Sequence, residues 1–542
     1  MKTAFVNGNI RALDTENGVY EAMLVADGKI EALGSTADIR RRAGSAGRVA
    51  DLGGRHVLPG FIDTHLHMMD HGIYGLRTAD LYPARNVEDV VEIMQAWLAE
   101  KDTPDGQWLE GFGWDQDLYP GAQFPTCHDL DRVSVRHPIM ITRRCGTICS
   151  ANSLAMELAG IDRHTPDPAG GEIRKDEHGE PDGVMLESAM SLIGRIVPKL
   201  SDKETIKDII AYAAQELVSL GVTVAHTEDF MSVGDKKALM HAYLELQEEG
   251  RLPLNLVLQL RIHQPADLDS FFEFGFKSWD SFGRVKIGPI KFLGDGSLGA
   301  WTAGLNEDYS DKPGDRGLVY YDQDELTSLV ATVVNRDFDV TIHSIGDRST
   351  ELFLKACAAN MDEIKRKGFR PSVIHSQIMN PGIFDLYEET GAIAIVQPMY
   401  VHSDWKIADA RVGSRMEYSY CFRKMLDAGI AVTAGSDLPI ESANPFHAIQ
   451  VSVTRKDLTG EPAGGWYPEE QLDRLEALKL HTLYGASVSF DEDRYGSLAE
   501  GMQANFVVVS DDLFAVPEDE IKNIEVLATY VDGEIMYAQP KL

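Results

Sequence analysis

Short apolar segments alternate with helical segments from residue 201 onward, and this alternation constrains the fold more than any other feature. Ser201 and Glu204 have the spacing of a capping box, which predicts the start of a helix. Seven apolar, strand-type segments follow, at residues 223–227, 254–262, 285–293, 340–343, 372–375, 392–397 and 431–434. With the apolar segment before His65 they make eight. Repeated strand–helix units with apolar strands predict an α/β fold, a (β/α)8 TIM barrel, over residues 58–74 and 201–490.

The two ends of the chain and its first third do not follow this alternation. Residues 1–57 and 491–542 consist of short strand-type segments and turns, such as Asn7-Gly8 and Asp532-Gly533. We expect both ends to pair into one small β-sandwich domain beside the barrel. Residues 75–200 contain a helical segment, aromatic turns and Gly/Pro-rich stretches, and are predicted to be a large insertion after barrel strand 1 that shapes the substrate pocket.

The charge of the chain limits its partners. It has 85 acidic and 51 basic residues, a formal net charge of −34. Such a charge argues against nucleic acid or an anionic membrane as a partner. The partner that we expect is a small-molecule substrate. No stretch approaches the ~18 apolar residues needed to cross a bilayer. The first residues lack the apolar core of a signal peptide, so we expect a cytoplasmic protein.

Cysteine usage agrees with a reducing compartment. The five cysteines are odd in number and irregular in spacing, so they imply no disulfide framework. Cys145 and Cys149 form a single C-x3-C pair. Without a second pair we interpret them as structural thiols rather than as a zinc site.

Five predicted strand ends carry polar side chains suited to a metal site. Active-site residues of such barrels lie at the carboxyl ends of the strands. His65 and His67 are two residues apart and so point to the same side of a strand. Taken singly, a histidine here can be hydrogen-bonded, a lysine salt-bridged and an aspartate a helix cap. Together on one rim they predict a divalent-metal site; the set is His65, His67, Lys291, His343, His375 and Asp437.

This pattern resembles the amidohydrolase superfamily. The segments FLGDGSLG at 292–299, HSIGDR at 343–348 and GSDLPI at 435–440 are similar to its amidohydrolase family 3, or YtcJ-like, branch, which includes N-substituted formamide deformylases. GWDQ at 113–116 and GSLAEG at 496–501 also match. The resemblance covers nearly the whole chain and identifies the superfamily, but not the substrate.

The resemblance implies a centre of two divalent metal ions, most simply zinc. His65, His67 and Asp437 would hold the buried ion, and His343 and His375 the more exposed one. Lys291, carbamylated by CO2, would bridge both, because a carbamate is an anionic oxygen donor and an ammonium is not. Lys286, five residues earlier, is the weaker candidate for this role.

The implied reaction is hydrolysis of a carbon–nitrogen bond other than a peptide bond. A metal-bridging hydroxide would attack an amide-type carbonyl, such as that of an N-substituted formamide, while Asp437 moves the proton to the leaving amine. Family analogy alone favours a homodimer.

Substrate recognition is assigned to the insertion and to the loops after the strands. In the segment CGTICSANS at 145–153, relatives often have histidine where Thr147 stands, a departure that bears on recognition rather than on the metals. His226 and His263 are interpreted as structural residues or as residues supporting the ligands. The candidate pocket residues are Trp114, Asp295, Trp301, Arg348, Tyr400 and His402.

Two other functions remain open at this stage. One is a deaminase of the same superfamily with a single metal held by His65, His67, His343 and Asp437, which has no role for Lys291. The other is a non-catalytic binding or regulatory protein on a degenerate barrel, against which the complete ligand set argues. A metal count and the chemical state of Lys291 separate the two enzymes.

Overall fold

The computed structural model describes residues 2–45, 47–144, 146–168, 170–262 and 267–540. The chain divides into two compact units, Met1–Met68 with Ala213–Met231 and Leu239–Leu542, and Met69–Tyr212 with Ser232–Ala238. Over the described ranges, no helix has both the length and the apolar character needed to cross a membrane.

The first unit contains an eight-stranded, nearly closed parallel barrel, which confirms the predicted fold. Strands that follow one another in the chain are neighbours in the sheet. The first and last strands meet where Asp437 N donates to the His65 carbonyl (2.8 Å) and Thr64 Oγ1 to the Ala434 carbonyl (2.9 Å). The strands are Phe61–Leu66, Val222–Thr227, Asn255–Arg261, Val285–Leu293, Val340–Ser344, Ser372–His375, Ile393–Val396 and Ala431–Ala434. A short strand, Ser281–Phe282, pairs with the fourth.

Helices connect the barrel strands, and their ends follow local capping rules. Asp322 accepts a hydrogen bond from Glu325 N and starts the helix Gln323–Asn335. This helix buries Leu326, Leu329, Val330, Val333 and Val334, the spacing of one helical face. The other α-helices after the second strand are Lys236–Glu248, Asp267–Phe272, Asp347–Ala359, Met361–Lys367, Pro381–Thr390, Met399–Asp404, Ala408–Val412, Phe422–Asp427, Pro445–Thr454, Arg474–Leu480 and Leu483–Val488. Short 3-10 helices span Gly413–Tyr418, Pro468–Glu470 and Glu518–Asn523.

The helix predicted from Ser201 begins one position later. It spans Lys203–Ser219. Asp202 rather than Ser201 provides the cap, because its carboxylate accepts from Thr205 N at 2.8 Å and from the Thr205 hydroxyl.

Two sheets in the first unit form the β domain built from both chain ends. One has the strands Lys2–Val6, Ala22–Ala26, Lys29–Gly34 and Arg48–Asp51. The other has Asn9–Arg11, Val19–Tyr20, His56–Pro59, Phe506–Val509, Val526–Val531 and Glu534–Ala538. The ends meet where Phe506–Val509 pairs antiparallel with His56–Pro59. The helix Thr36–Ala43 covers the first sheet.

The second unit, which contains the whole predicted insertion of residues 75–200, has its own sheet and core. Its strands are Thr78–Asp80, Leu109–Trp114, Ile139–Arg143, Ile148–Ala151, Gly171–Lys175 and Pro181–Glu187. The predicted helix at 87–100 is Val87–Lys101, capped by Asn86. Other helices are Met68–Arg77, Cys127–Asp131, Ser153–Ala159 and Ser191–Gly194, with 3-10 turns at Gln116–Leu118, Pro120–Ala122 and Ser188–Met190. The residue limits proposed for the insertion and the β-sandwich stay predictions.

The four cysteines that the structure describes, Cys127, Cys149, Cys357 and Cys421, are free and buried. Cys145 lies outside the described residues.

Candidate metal centre

The ends of the first and last barrel strands are joined tightly around two histidines. His65 is fully buried near the end of Phe61–Leu66. A Cβ on Gly435 would lie 2.6 Å from the His65 backbone nitrogen, so only glycine allows this approach. Asp63 Oδ1 accepts from His65 N (3.2 Å) and from Ser436 N (3.0 Å). These contacts hold Asp437 opposite the histidines.

Three potential ligands converge at this junction. Asp437 Oδ1 lies 3.1 Å from His67 Nε2 and 3.3 Å from His65 Nε2. One ligand atom from each of the three residues lies within 4.8 Å of the others. Asp437 Oδ1 is buried and accepts no hydrogen bond from any described residue. A buried carboxylate oxygen facing two imidazole nitrogens is what a divalent cation would satisfy.

Hydrogen bonds on the far side of each ring set the state of these two imidazoles. His65 Nδ1 is 2.8 Å from Gln259 Oε1, and His67 Nδ1 is 2.9 Å from the Glu228 carbonyl. Each acceptor places the proton on Nδ1 and leaves Nε2 for a metal. Burial lowers the pKa of His65 to about 3. Burial also opposes the charge on His67, but the Asp437 and Glu228 carboxylates raise its pKa to about 9.

Asp437 itself remains a carboxylate. Burial alone would raise its pKa, but the neighbouring His65 and His67 hold that pKa well below its usual range. Its second oxygen, Oδ2, accepts a short hydrogen bond from the Tyr400 hydroxyl. The residue adopts a φ of 59°, an uncommon conformation for a non-glycine residue that is often found at functional sites.

His343 and His375 form a second pair of imidazoles. His375 Nδ1 is 2.8 Å from Gln397 Oε1, and His343 Nε2 is 3.2 Å from the Gly296 carbonyl. With the protons on those nitrogens, the facing atoms, His375 Nε2 and His343 Nδ1, both carry lone pairs at 2.8 Å. Burial keeps both rings neutral, lowering the pKa of His375 to about 4 and that of His343 well below its usual range. A cation bound between His375 Nε2 and His343 Nδ1 would remove the repulsion between their lone pairs.

Lys291 lies beside the first group of ligands. It is buried, and its Nζ is 3.1 Å from His65 Nε2 and 3.5 Å from Glu228 Oε2. Burial lowers the pKa of Lys291 to about 8, although Glu228 favours the charged form. The share of neutral amine, the form that reacts with CO2, is therefore larger near neutral pH than for an ordinary lysine. Lys286, the weaker candidate, instead forms an ion pair with Asp491 at 2.7 Å.

Residues that the sequence pattern did not single out support the ligands. Gln259 and Gln397 orient one histidine each, and Glu228 holds His67 through its carbonyl and Lys291 through its carboxylate. Each is a polar residue inside or directly after an apolar barrel strand. That interruption of the apolar pattern is the signal that could have identified them.

Two of the candidate pocket residues lie at the ligand groups. The Tyr400 ring stacks on His375 at 5.7 Å between centroids, in addition to its contact with Asp437. Asp295 is fully buried 3.6 Å from His343 Nε2. Its carboxylate accepts from the backbone nitrogens of Gly304, Ile345 and Gly346, so it organises two loops.

The other candidates make contacts elsewhere. Trp114 is fully buried in the core of the second unit. Trp301 Nε1 donates to Asp311 at 3.0 Å, Arg348 is exposed, and His402 Nδ1 accepts from Leu458 N at 3.1 Å. The part of these six residues in substrate binding stays a prediction.

Three further residues were singled out from the sequence: Thr147, His226 and His263. The Thr147 carbonyl accepts from Glu187 N at 2.8 Å within the second unit's sheet. His226 is buried, and its two ring nitrogens have no hydrogen-bond partner in the described ranges. His263 lies outside the described residues.

A TIM barrel whose strand ends bring together histidines, an aspartate and a buried lysine defines a metal-dependent hydrolase. The sequence model of the amidohydrolase family matches residues 48–537, and the chain belongs to that family. Proteins of this class use divalent metal ions, and the donor set at Asp437 fits one.

Individual relatives match over nearly the full chain. YtcJ of Bacillus subtilis (strain 168) is 30% identical over 99% of both chains. The N-substituted formamide deformylase of Arthrobacter pascens is 26% identical over 98% of this chain and 97% of its own. A solved structure of an uncharacterised metal-dependent hydrolase from Pyrococcus furiosus has a TM-score of 0.77 and 27% identity, covering 95% of this chain and 100% of that chain. The predicted superfamily and branch are thereby confirmed.

Proposed function

We propose that this hydrolase cleaves an amide-type carbon–nitrogen bond in a small molecule, with N-substituted formamides as the first substrates to test. The observation that carries the proposal is the buried Asp437 Oδ1, which faces the Nε2 atoms of His65 and His67 and accepts no hydrogen bond from the described residues. The full-length similarity to a formamide deformylase supports the choice of substrate.

Two divalent ions, zinc by preference, would be held by this chain. His65, His67 and Asp437 would bind one, His343 and His375 the other, and Lys291 as its carbamate would bridge them. When bound, the ions supply Lewis acidity toward a carbonyl oxygen and a lowered pKa of water.

Asp437 is placed to move the proton. Its ionised carboxylate has one oxygen toward the ligand nitrogens and the other on the Tyr400 hydroxyl, so its orientation is set from both sides. It takes a proton from the attacking water and delivers it to the leaving nitrogen. The carbonyl carbon gains the water oxygen, the C–N bond breaks, and the products are a carboxylate, formate for a formamide, and an amine.

A second candidate is a single-metal deaminase. It is favoured by one observation: in the described part of the chain the only group of three potential ligands found is His65, His67 and Asp437. Lys291 contacts His65 as an amine, without needing a carbamate. One zinc per chain and an unmodified Lys291 would favour this function.

A substrate screen tests the proposal. The zinc-loaded protein is incubated with N-substituted formamides, other amides, cyclic amides and esters, and the amine and acid are detected by mass spectrometry. Asp437→Asn should lower the activity by about 10³-fold. Asp339→Asn is the matched control, since Asp339 is also buried, lies at the opposite end of a barrel strand and accepts hydrogen bonds from the backbone nitrogens of Val340 and Arg370. Equal activity of wild type and Asp437→Asn would contradict the mechanism.

A further inference from the structure

We propose that Arg261 is the positioning residue for the Lys291 carbamate: its guanidinium neutralises Glu228 and offers Nε–H to a carbamate oxygen. The inference rests on the two-metal function proposed above. It says which residue favours the carbamylated form of Lys291.

Strand register places Arg261 next to Lys291. The two residues are directly paired in the parallel third and fourth barrel strands. Paired residues of neighbouring strands project their side chains to the same face of the sheet. Ile262 N also donates to the Lys291 carbonyl at 3.1 Å, which holds this end of the strand pair together.

Arg261 and Lys291 both lie close to the same oxygen of the buried Glu228 carboxylate. Glu228 Oε2 lies 3.2 Å from Arg261 Nη1 and 3.5 Å from Lys291 Nζ, and Glu228 is 1% exposed. With Lys291 as an ammonium, Glu228 therefore faces two cations, Arg261 and Lys291, and His67 Nδ1 lies 3.7 Å from the same oxygen.

Carbamylation changes this balance. The Lys291 nitrogen bonds to the carbon of CO2, one C=O electron pair moves to oxygen, and the ammonium loses two protons to solvent. The side chain thus passes from one positive to one negative charge beside Glu228. Two buried anions side by side are unfavourable unless cations remain with them. The metal ions would be on the carbamate, and Arg261 is the cation that remains on Glu228.

Arg261 also has a donor to spare. Its Nε is buried and has no hydrogen-bond partner in the ranges that the structure describes. A buried charged donor without an acceptor is costly, so the site is incomplete with Lys291 as a free amine. A carbamate has the planar two-oxygen geometry that guanidinium groups bind best.

The experiment measures carbamate formation on Lys291 directly. Full-length protein is loaded with Zn²⁺ in ¹³C-bicarbonate, and the carbamate carbon is observed by ¹³C NMR while bound zinc is counted. Lys291→Ala identifies the signal by its loss. Arg261→Gln is expected to raise the bicarbonate concentration for half-labelling at least tenfold and to lower the zinc count from two toward one.

Matched variants separate this role from a general loss of stability. Arg284→Gln removes another barrel guanidinium that is 20% exposed, against 21% for Arg261, and that pairs with Asp532 at 3.0 Å. It should label like wild type. Arg261→Lys keeps a cation beside Glu228 but has no Nε–H, and should still label more weakly than wild type, so a folding failure of Arg261→Gln does not end the test.

The outcomes distinguish the two proposals. If wild type labels and both Arg261 variants label identically to it, Arg261 has no such role and the two-metal function stands. If wild type shows no Lys291-dependent carbamate, the bridging ligand of the proposed function is wrong and the role of Arg261 is wrong with it.

Discussion

The two halves of the proposed metal centre, His65 with His67 and Asp437, and His343 with His375, are alike in the contacts behind the rings and differ in the atoms that face each other. In each, a glutamine from another part of the barrel wall holds a histidine through Nδ1. Gln259, in the third strand, holds His65, and Gln397, directly after the seventh, holds His375, both at 2.8 Å. The inner faces differ. In the first half the imidazoles face the Asp437 carboxylate, whereas in the second half His343 and His375 face each other at 2.8 Å.

The two halves differ in charge, because the first contains the Asp437 carboxylate and the second contains only neutral imidazoles. When no metal is bound, protonated His67 can form an ion pair with the Asp437 carboxylate, so the charges of the first half balance without a metal ion. Two neutral imidazoles with opposed lone pairs have no such partner. In the two-metal function proposed above, the second half would therefore depend on a bound cation and on Lys291 as an anionic carbamate. We expect the first half to bind metal more tightly and independently.

Replacing Asp437 should have the largest effect, because it removes the anion that distinguishes the first half. Asp437→Asn is expected to lower kcat by about 10³-fold through loss of the proton acceptor. Steady-state kinetics with the best substrate of the screen measure this loss, and zinc analysis shows which ion departs. Retention of both ions with full kcat would remove the distinction between the halves.

Removing Lys291 should separate the halves. Lys291→Ala is expected to leave one zinc per chain, in the first half, and to lower kcat/KM by about 10²-fold, since one Lewis acid is lost. Metal analysis after dialysis is the measurement. Two tightly bound ions in this variant would mean that the second half needs no anion.

The two glutamines offer a matched pair of weaker perturbations. Gln259→Leu and Gln397→Leu each remove the acceptor that orients one ligand, a change that weakens metal binding by about 10- to 100-fold. Competitive chelator titration should show the loss for the first ion in Gln259→Leu and for the second in Gln397→Leu. If each variant weakens both ions equally, the halves are coupled rather than independent.

Zinc binding to the first half should depend on pH. His67 in the metal-free protein has its pKa raised to about 9, so below that pH zinc must displace its proton. In Lys291→Ala, affinity should rise by about tenfold per pH unit from pH 6 to 8 and level off above 9. Adding His67→Asn should flatten the profile. The second half should lack this slope, because the pKa of His375 is lowered to about 4.

The smallest effect is expected at Tyr400. Tyr400→Phe removes the hydroxyl that contacts Asp437 Oδ2 while keeping the ring on His375. One such hydrogen bond contributes about 1 kcal/mol, so kcat should fall by about fivefold with zinc content unchanged. A fall as large as that of Asp437→Asn would instead make Tyr400 a direct participant in proton transfer.

Sequence pattern was sufficient for the barrel and for the residues brought to its rim. Strand periodicity located all eight strands, and the rule that strand ends share one rim brought Lys291 and Asp437 to His65. It was insufficient for the residues around them. Gln259, Gln397, Glu228 and Arg261 interrupt the apolar pattern, but the pattern does not show what they contact, because a polar residue in a barrel strand can face the interior or the surrounding helices.

What the sequence determined alone is the class of fold and the identity of the ligand candidates, since both follow from periodicity and position along the chain. The tertiary structure decided how those ligands are completed. Neighbouring strands are joined by register, and a register shift between Leu258 and Leu260 brings Arg261 opposite Lys291. Contacts such as that of Arg261 with Glu228, 33 residues apart, arise only when the barrel closes, because each strand then adds its side chains to a shared interior.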